Sequence, residues 1–516
     1  MKHALIFVLS CCLLNFVVHS GEPQRPNILY ILCDDLGYGD VKALNPEGKI
    51  ATPNIDKLAA AGMIFSDAHG SSSVCTPTRY GIMTGRYNWR SRLQSGVLGG
   101  VSPHLIEDGR LTVAQLMKNH GYQTACFGKW HLGMDWPMKD KAVTANDNVD
   151  NTGQSRQVDY SKPITHGPNA SGFDYYFGIP ASLDMAPFAF IENQRVTQEP
   201  TVEKKFVRKG PAAVDFEAVD VLPKLTEKTI QYLNDYTKTR DAKPQDAKPF
   251  FIYMPLNSPH APIVPTPEWK GKSGLNDYGD FVMETDACVG KVLDALDKNG
   301  LSDSTLVIFT SDNGCSPVAN IPELEKKGHY PNYHFRGMKA DIWDGGHRIP
   351  FITRWPGKIK AGATSDQIVC LTDLIATCAE MLGEKLPDNA AEDSVSMLPA
   401  LLGTANAPLR EAIVHHSIVG HFSIRQGNWK LELCPASGGW SAPKPGSPGE
   451  KGLPKIQLYD LGSDVGETKN LQAEHPEIVE KLTKLLEKYV ADGRSTPGTA
   501  QPNNGKIDIW KLSKKQ

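Results

Sequence analysis

The sequence predicts an α/β fold with a large, mostly parallel sheet, followed by a smaller α+β subdomain with a short antiparallel sheet. Apolar runs typical of buried strands alternate with segments of helical periodicity up to about residue 404. This alternation favours a parallel sheet covered by helices on both faces. After about residue 405 the apolar runs become shorter and follow one another closely. A chain of 516 residues is also too long for one ordinary core, which supports two units.

Four apolar runs are predicted to be strands of the large sheet, and three segments between them are predicted to be helices. The strands cover residues 27–32, 122–127, 250–255 and 306–310, and the helices cover 54–61, 111–119 and 277–299. In a mostly parallel sheet, ligands bind beyond the carboxyl ends of the strands. Polar residues follow all four runs, so this edge of the sheet is the predicted site.

The C-terminal part of the chain has a different pattern. Antiparallel strands are predicted over 412–417, 422–433 and 456–461, and an amphipathic helix over 476–490. We therefore predict a large domain over residues 21–404 and a smaller subdomain over residues 405–516. The Pro-, Asn- and Gly-rich stretch after Ser495 is expected to be loosely held.

Residues 1–20 have the features of a secretory signal peptide. A short basic start, Met1-Lys2-His3, precedes the apolar run 4–18, and the small residue Ser20 follows it. This run is short for a membrane anchor, and no other run reaches the roughly 18 apolar residues that a membrane helix needs. We predict cleavage after Ser20 and export to the periplasm or the medium. Leu9-Ser10-Cys11 leaves lipid attachment open as an alternative.

Charge and cysteine spacing exclude several classes of function. The formal net charge is −3, so neither nucleic acid nor an anionic membrane surface is a predicted partner. Ten cysteines are present, and none of them forms the C-x-x-C pair of zinc ribbons and thioredoxin-like sites. Disulfides are compatible with export, but the spacing alone does not pair the cysteines.

Short oxygen-bearing residues follow two of the predicted strands. Asp34 and Asp35 follow the first run, and Asp312 and Asn313 follow the run 306–310. Taken singly, D-D-x-G and S-D-N-G are common turn sequences. Because the strands are expected to be neighbours, the three carboxylates would repel one another unless a cation lay between them. Ca²⁺ and Mg²⁺ take oxygen ligands of this kind, so the sequence predicts a site for a hard cation.

A complementary set of cationic and imidazole groups is predicted at the same edge. Its members are Arg79, Lys129, His131, His260 and Lys339. A single Lys or His is usually only a solvated surface residue. Lys129 and His131 lie two residues apart, so an extended backbone points both the same way. Near a bound metal, such groups would form a site for a compact oxyanion.

Cys75 lies in the stretch S-S-S-V-C-T-P-T-R-Y, which is expected to be a polar loop. A nucleophilic cysteine needs a lowered pKa and a partner base, and Arg79 and the lysines would lower the pKa. However, a thiolate suits a hard, oxygen-bound cation poorly. An oxygen nucleophile suits that metal better, which suggests that the residue acts in a modified form.

The motif C-T-P-T-R at residues 75–79 matches the C-x-P-x-R signature of type I sulfatases, in which the cysteine is oxidised after translation to formylglycine. The stretches C-T-P-T-R-Y-G-I-M-T-G-R-Y and G-Y-Q-T-A-C-F-G-K-W-H-L-G resemble the first and second signatures of this arylsulfatase-like family. The resemblance covers most of the chain, from P-N-I-L-Y-I-L-C-D-D-L-G-Y-G-D to L-Y-D-L-G-S-D-V-G-E-T-K-N-L. Many members have Ser where this chain has Thr78, a conservative difference.

The resemblance implies an α/β sandwich of the alkaline phosphatase superfamily and a role for each site residue. One Ca²⁺, with Mg²⁺ as an alternative, would be bound by Asp34, Asp35, Asp312, Asn313 and the modified Cys75. Arg79 and Lys129 would hold the formylglycine and the sulfate, and Lys339 would bind the sulfate oxygens. His131 would orient the formylglycine and help to release sulfate, and His260 would protonate the leaving alcohol.

The implied reaction is hydrolysis of sulfate monoesters by the gem-diol of formylglycine. One hydroxyl attacks sulfur in line while the alcohol leaves. The other hydroxyl then loses its proton, and the hemiacetal expels sulfate and restores the aldehyde. A serine would instead leave a stable sulfate ester. The implied partners are a sulfated carbohydrate and a formylglycine-generating or anaerobic sulfatase-maturating enzyme.

Two other functions remain open from the sequence. One is a phosphodiesterase or phosphonate hydrolase of the same superfamily, and the other is an inactive glycan-binding relative with an unconverted Cys75. For a sulfatase, sulfated galactose or N-acetylgalactosamine is the predicted substrate. Asp184 and Glu192 are candidates for contacts with sugar hydroxyls, and a purely surface role is the alternative.

Overall fold

The computed structural model of the protein describes residues 25–150 and 152–511, and the predicted signal peptide lies outside them. Every helix in this part of the chain is too short or too polar to cross a lipid bilayer. The strands are β1 Asn27–Asp34, β2 Met63–Phe65, β3 Ala68–His69, β4 Gln123–Lys129, β5 Tyr175–Ile179, β6 Ile191–Glu192, β7 Arg195–Val196, β8 Val202–Lys205, β9 Lys209–Ala212, β10 Phe250–Pro259, β11 Thr305–Ser311, β12 Phe351–Arg354, β13 Ala363–Ser365, β14 Val369–Cys370, β15 Ile413–His416, β16 Phe422–Gln426, β17 Trp429–Glu432 and β18 Gln457–Asp460.

The α-helices lie between and after these strands. They are α1 Pro53–Ala60, α2 Cys75–Thr84, α3 Val113–Asn119, α4 Thr152–Ser155, α5 Val221–Ala242, α6 Asp277–Lys298, α7 Ile321–Lys326, α8 Asp344–His347, α9 Leu374–Leu382, α10 Leu398–Leu401 and α11 Pro476–Ala491. The predicted helices near residues 54, 111, 277 and 476 are therefore all present. The 22-residue helix α5 was not among the predictions.

A large sheet forms the centre of the molecule and has the strand order β13-β2-β12-β11-β1-β10-β4-β5-β6-β7. Its central strands β11, β1, β10, β4 and β5 are parallel to one another, whereas β12, β6 and β7 pair antiparallel. The predicted class, a mixed but mostly parallel sheet of the alkaline phosphatase type, is confirmed.

Alternating side chains of β1 explain why the sheet is covered on both faces. Ile28, Tyr30 and Leu32 pack into one apolar cluster, which includes residues of α3 and α9. Leu29 and Ile31 pack into the opposite cluster, which includes residues of α1, α5 and α6. Because successive strand residues point to opposite faces, a continuous apolar run is what a doubly covered strand requires.

The C-terminal part forms the predicted small antiparallel sheet, in the order β15-β16-β17-β18. Helix α11 packs against it through Leu482, Leu486 and Tyr489, which join Ile424 and Leu431 in a separate apolar cluster. The exact boundary after residue 404 stays a prediction.

Residues 496–511 are bound to the rest of the molecule, so the expectation that they are loosely held is wrong. Arg86 Nη2 donates to Pro502 O at 2.8 Å, and the Asn504 amide donates to Arg90 O at 2.8 Å. Arginines from the large domain thus supply the contacts that the composition of the tail does not reveal.

Candidate active site

The carboxyl ends of four adjacent strands bring most of the predicted site residues together. The strands β11, β1, β10 and β4 are neighbours in this order. Their ends supply Asp312 and Asn313 after β11, Asp34 and Asp35 at β1, His260 after β10 and Lys129 at β4. Cys75 and Arg79 come from the first turns of α2, and Lys339 from the loop before α8. His131 follows β4 by two residues.

The acidic residues form a cluster with the geometry of a cation site. Ligand atoms of Asp34, Cys75 and Asp312 all lie within 4.8 Å of one another, as do those of Asp34, Asp35 and His260. Asp34 Oδ1 and Asn313 Oδ1 are buried and have no hydrogen-bond partner among residues 25–150 and 152–511. An unpaired buried oxygen costs about 1–3 kcal/mol, which a bound cation would offset. These oxygen donors fit Ca²⁺ or Mg²⁺.

Each carboxylate of this cluster has a buried cationic partner. The pairs are Lys129 Nζ with Asp34 Oδ2 at 2.5 Å, Lys339 Nζ with Asp35 Oδ1 at 2.6 Å, and Arg79 Nη2 with Asp312 Oδ2 at 2.8 Å. Three positive and three negative side chains give a net charge of zero. A divalent cation would therefore bring the charge of this set to +2, which favours an anionic substrate.

The two carboxyl groups nearest Cys75 are perturbed in opposite directions. Burial alone would raise the pKa of Asp34, but Lys129, His260 and Arg79 hold it well below its usual range. Burial and the neighbouring Asp34 carboxylate raise the pKa of Asp312. Two carboxylates so close together resist full ionisation unless positive charge is added. A cation held between the two carboxyl groups would supply that charge.

Cys75 lies at the first position of α2 and is only 2% exposed, so the predicted polar loop is wrong. The polar side chains of this helix can be buried because they donate hydrogen bonds to backbone carbonyls. Thr78 Oγ1 donates to Ser72 O at 2.9 Å, and Arg79 Nη1 donates to Lys129 O at 2.9 Å. Burial raises the pKa of the Cys75 thiol despite the opposing effect of Lys129. The unmodified residue is therefore a neutral thiol and a poor nucleophile.

Left-handed backbone conformations occur at the site. Asp35 has φ 66°, His131 has φ 56°, and Ala340, next to Lys339, has φ 79°. Non-glycine residues in this region cost about 1–3 kcal/mol each, and such strain clusters at functional sites. Hydrogen bonds oppose it: the Asp35 amide donates to Asp312 Oδ1 at 3.2 Å, and the Ala340 amide donates to Ser73 O at 2.8 Å.

The two histidines each use one ring nitrogen to hold their orientation. His131 Nε2 donates to Leu98 O at 2.8 Å, so Nδ1 carries a lone pair, and within the described ranges this buried atom has no partner. Burial and Lys129 lower the pKa of His131 well below its usual value, so the ring is neutral. His260 Nδ1 donates to Ala261 O at 2.6 Å, which leaves Nε2 free, 3.7 Å from Asp35 Oδ2.

The predicted sugar contacts lie on other elements. Asp184 forms an ion pair with Arg208. Glu192, on β6, accepts a hydrogen bond from the Tyr175 hydroxyl at 2.5 Å and lies 3.7 Å from Lys228 Nζ. Both carboxylates are thus engaged with neighbouring side chains, and their contact with a substrate stays a prediction.

Two further polar residues accompany the site and were not singled out from the sequence. Asn257, three residues before His260, is 3% exposed, and neither atom of its amide finds a partner in the described part of the chain. Ser73, two residues before Cys75, has a buried hydroxyl oxygen that likewise finds no hydrogen-bond partner in the described part of the chain. Their closeness in sequence to His260 and Cys75 was the only signal available, because the missing partners are a property of the fold.

The family follows from a comparison of the whole sequence with known families. The profile described as Sulfatase matches residues 26–384. The chain belongs to the sulfatase family. Like the other members, it is a sulfuric ester hydrolase, and the strand-end site lies within the matched residues.

Among curated relatives, the sulfatase is 33% identical over 504 residues to the N-acetylgalactosamine-6-O-sulfatase of Bacteroides thetaiotaomicron, covering 90% of this chain and 93% of the relative. It is 31% identical over 520 residues to human arylsulfatase A, covering 93% and 91% of the two chains. Both alignments run through the large and the small sheet, so the resemblance is not confined to the signature motifs.

Solved structures show the same fold. A sulfatase of B. thetaiotaomicron, described in connection with the metabolism of multiple glycosaminoglycans, superimposes with a TM-score of 0.76 at 32% identity, covering 90% of this chain and 99% of that one. The phosphonate monoester hydrolase of Agrobacterium radiobacter superimposes with a TM-score of 0.57 at 19% identity, covering 90% and 95%. The second likeness concerns the fold alone.

Proposed function

We propose that this sulfatase hydrolyses sulfate monoesters of glycans, with N-acetylgalactosamine 6-sulfate as the first substrate to test, and that it uses formylglycine made from Cys75 together with one Ca²⁺. The observation that carries the proposal is the position of Cys75, whose Sγ lies within 4.8 Å of ligand oxygens of Asp34 and Asp312. A neutral buried thiol has no use at this place, whereas an oxygen-bearing derivative would complete an oxygen ligand set.

The proposed Ca²⁺ would be held by Asp34, Asp35, Asp312 and Asn313. Two of the oxygens involved, Asp34 Oδ1 and Asn313 Oδ1, are buried without a partner among the described residues, which supports the assignment. The hydrated formylglycine would supply the oxygen nucleophile, and the bound cation would lower the cost of ionising it and add positive charge to the site of an anionic ester.

The positive side chains of the protein would bind and orient the sulfate group. In the structure, the Lys129 ammonium donates to Asp34, and the Lys339 ammonium donates to Asp35. With the carboxylates engaged by a cation, both ammonium groups can turn donors toward sulfate oxygens. Arg79 donates hydrogen bonds to Asp312 Oδ2 and to the Lys129 carbonyl, so it would hold these two strand ends in a fixed relative position.

Proton transfer falls to the two histidines. His131 presents a lone pair at Nδ1, because Nε2 is bound to a carbonyl, and it can accept a proton inside the site. His260 presents Nε2 on the side of Asp35. Because Nδ1 keeps its hydrogen for Ala261 O, it is the imidazolium form of the ring that would carry a proton on Nε2 and give it to the leaving alcohol. Asn257, at the same strand end as His260, is a candidate donor to the sulfate or to the sugar.

The substrate proposal rests on the B. thetaiotaomicron relative, which is named for N-acetylgalactosamine 6-sulfate. Arg208, which pairs with Asp184 and Asp150, adds a cation beside the predicted sugar contacts. The predicted export, and a maturating enzyme as partner, belong to the same proposal, since extracellular glycans and a modified cysteine require them.

Mass spectrometry tests the modification. Trypsin releases residues 58–79, which contain Cys75, and residues 119–129, which contain Cys126. In protein made together with a maturating enzyme, the first peptide is expected to lose roughly 18 Da while the second serves as an unchanged control. Active protein that shows only the unmodified thiol at Cys75 would overturn the formylglycine mechanism.

Turnover on matched esters tests the activity. We expect release of sulfate from N-acetylgalactosamine 6-sulfate, and little reaction with the 4-sulfate or with the phosphate and phosphonate esters of the same leaving group. Faster hydrolysis of the phosphate or phosphonate ester would assign the chain to the competing function. Loss of turnover in Cys75→Ala, with retention in Cys378→Ala, ties the activity to this site.

A further inference from the structure

A second group of candidate metal ligands lies outside the active site. It consists of His104 and Asp108, in the loop before α3, His166, in the segment between β4 and β5, and Asp135, six residues after the end of β4. The two histidine rings stack with their centroids 4.5 Å apart and an angle of 20° between their planes. These residues come from three separate parts of the sequence but share one small surface.

Asp135 fixes the orientation of both rings. His104 Nδ1 lies 2.9 Å from each carboxylate oxygen of Asp135, and His166 Nδ1 lies 2.9 Å from Oδ2. A carboxylate only accepts hydrogen bonds, so both Nδ1 atoms carry hydrogen, and in the neutral ring each Nε2 atom presents a lone pair. A carboxylate behind the histidine is the usual second-shell arrangement at metal sites.

Asp108 stands opposite the two Nε2 atoms. Its Oδ1 lies 3.6 Å from His104 Nε2 and 3.7 Å from His166 Nε2. Both distances exceed a normal hydrogen bond. Two ligands that each lie about 2.0–2.1 Å from a tetrahedral zinc ion are about 3.3 Å apart. The two distances from Asp108 Oδ1 are only slightly longer than this, and the exposed side chain of Asp108 can rotate to close the difference.

The backbone holds this arrangement in place. The Asp135 amide donates to Thr165 O at 2.9 Å and the Thr165 amide donates to Asp135 O at 3.0 Å, which joins the segments of Asp135 and His166. The His104 amide donates to Asp135 Oδ1 at 3.2 Å. His166 itself has a left-handed φ of 48°, a strained conformation for a histidine.

We propose that His104 Nε2, His166 Nε2 and Asp108 Oδ1 bind a divalent transition-metal ion of the zinc class, with Asp135 as the outer-shell acceptor. Imidazole nitrogen and one carboxylate oxygen are a ligand set that suits zinc and not the hard cation of the active site. The adjoining cavity of about 80 Å³ has room for a water molecule as the fourth ligand.

The ion would tie together two segments that hold the active site. The Leu105 amide donates to Leu132 O at 2.9 Å, and Leu132 follows His131 directly. A metal bound by His104 and His166 would therefore stabilise the position of the backbone that follows β4, which includes His131. Its role is structural, and it does not depend on the identity of the sulfated substrate.

Titration of the full-length protein with zinc chloride tests the proposal. The protein is freed of transition metals and kept in excess Ca²⁺ so that the active site is filled. We expect one zinc ion per chain by calorimetry, a visible spectrum typical of tetrahedral Co²⁺ when cobalt replaces zinc, and a higher melting temperature with zinc. His166→Gln and Asp108→Asn should each weaken zinc binding by about 10–100-fold, the loss seen even for outer-shell partners.

His475→Gln is the matched control, because His475 is 38% exposed and lies 3.2 Å from Glu477. It should bind zinc as the unchanged chain does. Equal melting temperatures of all variants without zinc establish that they fold. The proposal is wrong if the unchanged chain takes up no zinc in the presence of Ca²⁺, or if His166→Gln and Asp108→Asn bind zinc as tightly as it does.

Discussion

Lys339 illustrates how one residue of the candidate site pairs with a neighbour and, under the proposed function, also binds the substrate. Its ammonium lies 2.6 Å and 2.8 Å from the two oxygens of Asp35. Burial alone would lower the pKa of Lys339, but Asp35 and the other acidic groups nearby raise it well above its usual value. The side chain therefore stays charged in a buried place, which is the state in which it can bind a sulfate oxygen.

Removal of the positive charge of Lys339 should mainly lower the rate of hydrolysis. We expect Lys339→Ala to lower kcat/KM for sulfate ester hydrolysis by about 10²–10³-fold, the range found when one donor to a transition-state oxyanion is removed. Steady-state kinetics measure the effect, with Lys326→Ala as a control, because Lys326 is exposed on α7. A Lys339→Ala variant within a few fold of the unchanged chain would show that Lys339 only neutralises Asp35.

The predicted site residues that the structure brings together share a recognisable position. Asp34, Lys129 and Asp312 each follow an apolar run, and parallel strands bring such ends to one edge. Asn257 and the group around His104 were not predicted. Asn257 matters because it lacks a partner, and His104 because Asp135 turns its ring. Neither property exists in the sequence before the chain has folded.

Close contact between neighbouring strands places Lys129 at the site. Gly128, on β4, has φ 144°, and a Cβ there would lie 1.8 Å from Pro255 O on β10. On the other side, a Cβ at Gly178 of β5 would lie 1.8 Å from Gly128 O. The absence of side chains lets the strands approach each other just before the ends that carry the functional groups.

Gly128→Ala should destabilise the sheet more than backbone strain alone explains. Gly121→Ala is the matched control, since Gly121 also has a positive φ of 83° but nothing within 4 Å of a new Cβ. We expect the control to lose about 1–2 kcal/mol of unfolding free energy, the cost of the left-handed conformation. Urea unfolding should show a clearly larger loss for Gly128→Ala. Equal losses would mean that β4 and β10 separate without cost.

Helices were predicted less completely than strands, for reasons specific to each. The segment of α2 contains Thr76, Thr78 and Arg79, so its composition indicated a loop. In the structure it is a buried helix, in which Thr78 and Arg79 donate to the backbone carbonyls of Ser72 and Lys129. Helix α5 has 22 residues, of which only seven are buried. Its many charged residues on the exposed side obscured the apolar positions.

A buried lysine of the small sheet forms ion pairs with a helix of the large domain. Lys430, on β17, lies 2.9 Å from Asp344 of α8, 2.6 Å from Glu467 and 3.1 Å from Glu432, and all four side chains are buried. Burial alone would lower the pKa of Lys430, but Asp344 and Glu467 raise it, so it stays protonated.

Lys430→Met should weaken the protein strongly, because it leaves carboxylates buried without a counter-charge. Removal of one partner of a buried ion pair costs about 3–5 kcal/mol. The free energy of unfolding in urea measures the loss. Lys469→Met is the control: Lys469 pairs with Glu474 on the surface, where a pair contributes about 0–1 kcal/mol. Similar losses in both variants would contradict the importance of the buried group.

Buried histidines make the stability of the whole molecule sensitive to acid. Burial lowers the pKa of His69 to about 4 and that of His416 to about 3. In the unfolded chain a histidine takes up its proton near pH 6.5. Below that pH the unfolded state binds protons that the folded state does not. Each such histidine therefore reduces the free energy of unfolding as the pH falls, until its folded pKa is reached.

The contribution of one histidine can be isolated by substitution. For His416→Gln, we expect the fall in unfolding free energy between pH 6 and pH 4 to be less steep than in the unchanged chain, by up to about 1.4 kcal/mol per pH unit. The exposed His334 gives the control variant His334→Gln, which should keep the original slope. Parallel curves for all three proteins would show that His416 is protonated in the folded state.

The architecture could be predicted from the sequence, whereas the docking of the C-terminal tail onto the large domain could not. Apolar runs and helical periodicity sufficed for the α/β class and for the small C-terminal sheet. The tail after Ser495 was misjudged because its contacts come from Arg86 and Arg90, more than 400 residues earlier in the chain. The composition of a segment predicts its own conformational preference. It does not predict hydrogen bonds that residues elsewhere in the chain make with it.

Under the proposed function, the burial of Cys75 also implies an order of events during biosynthesis. An enzyme that converts this residue must reach its side chain, but in the folded protein the residue is 2% exposed and begins a helix that is buried throughout. Under the proposed function, oxidation has to occur while residues 71–79 are still an extended chain. Maturation and folding are then competing rates, and a chain that folds first is trapped as an inactive product.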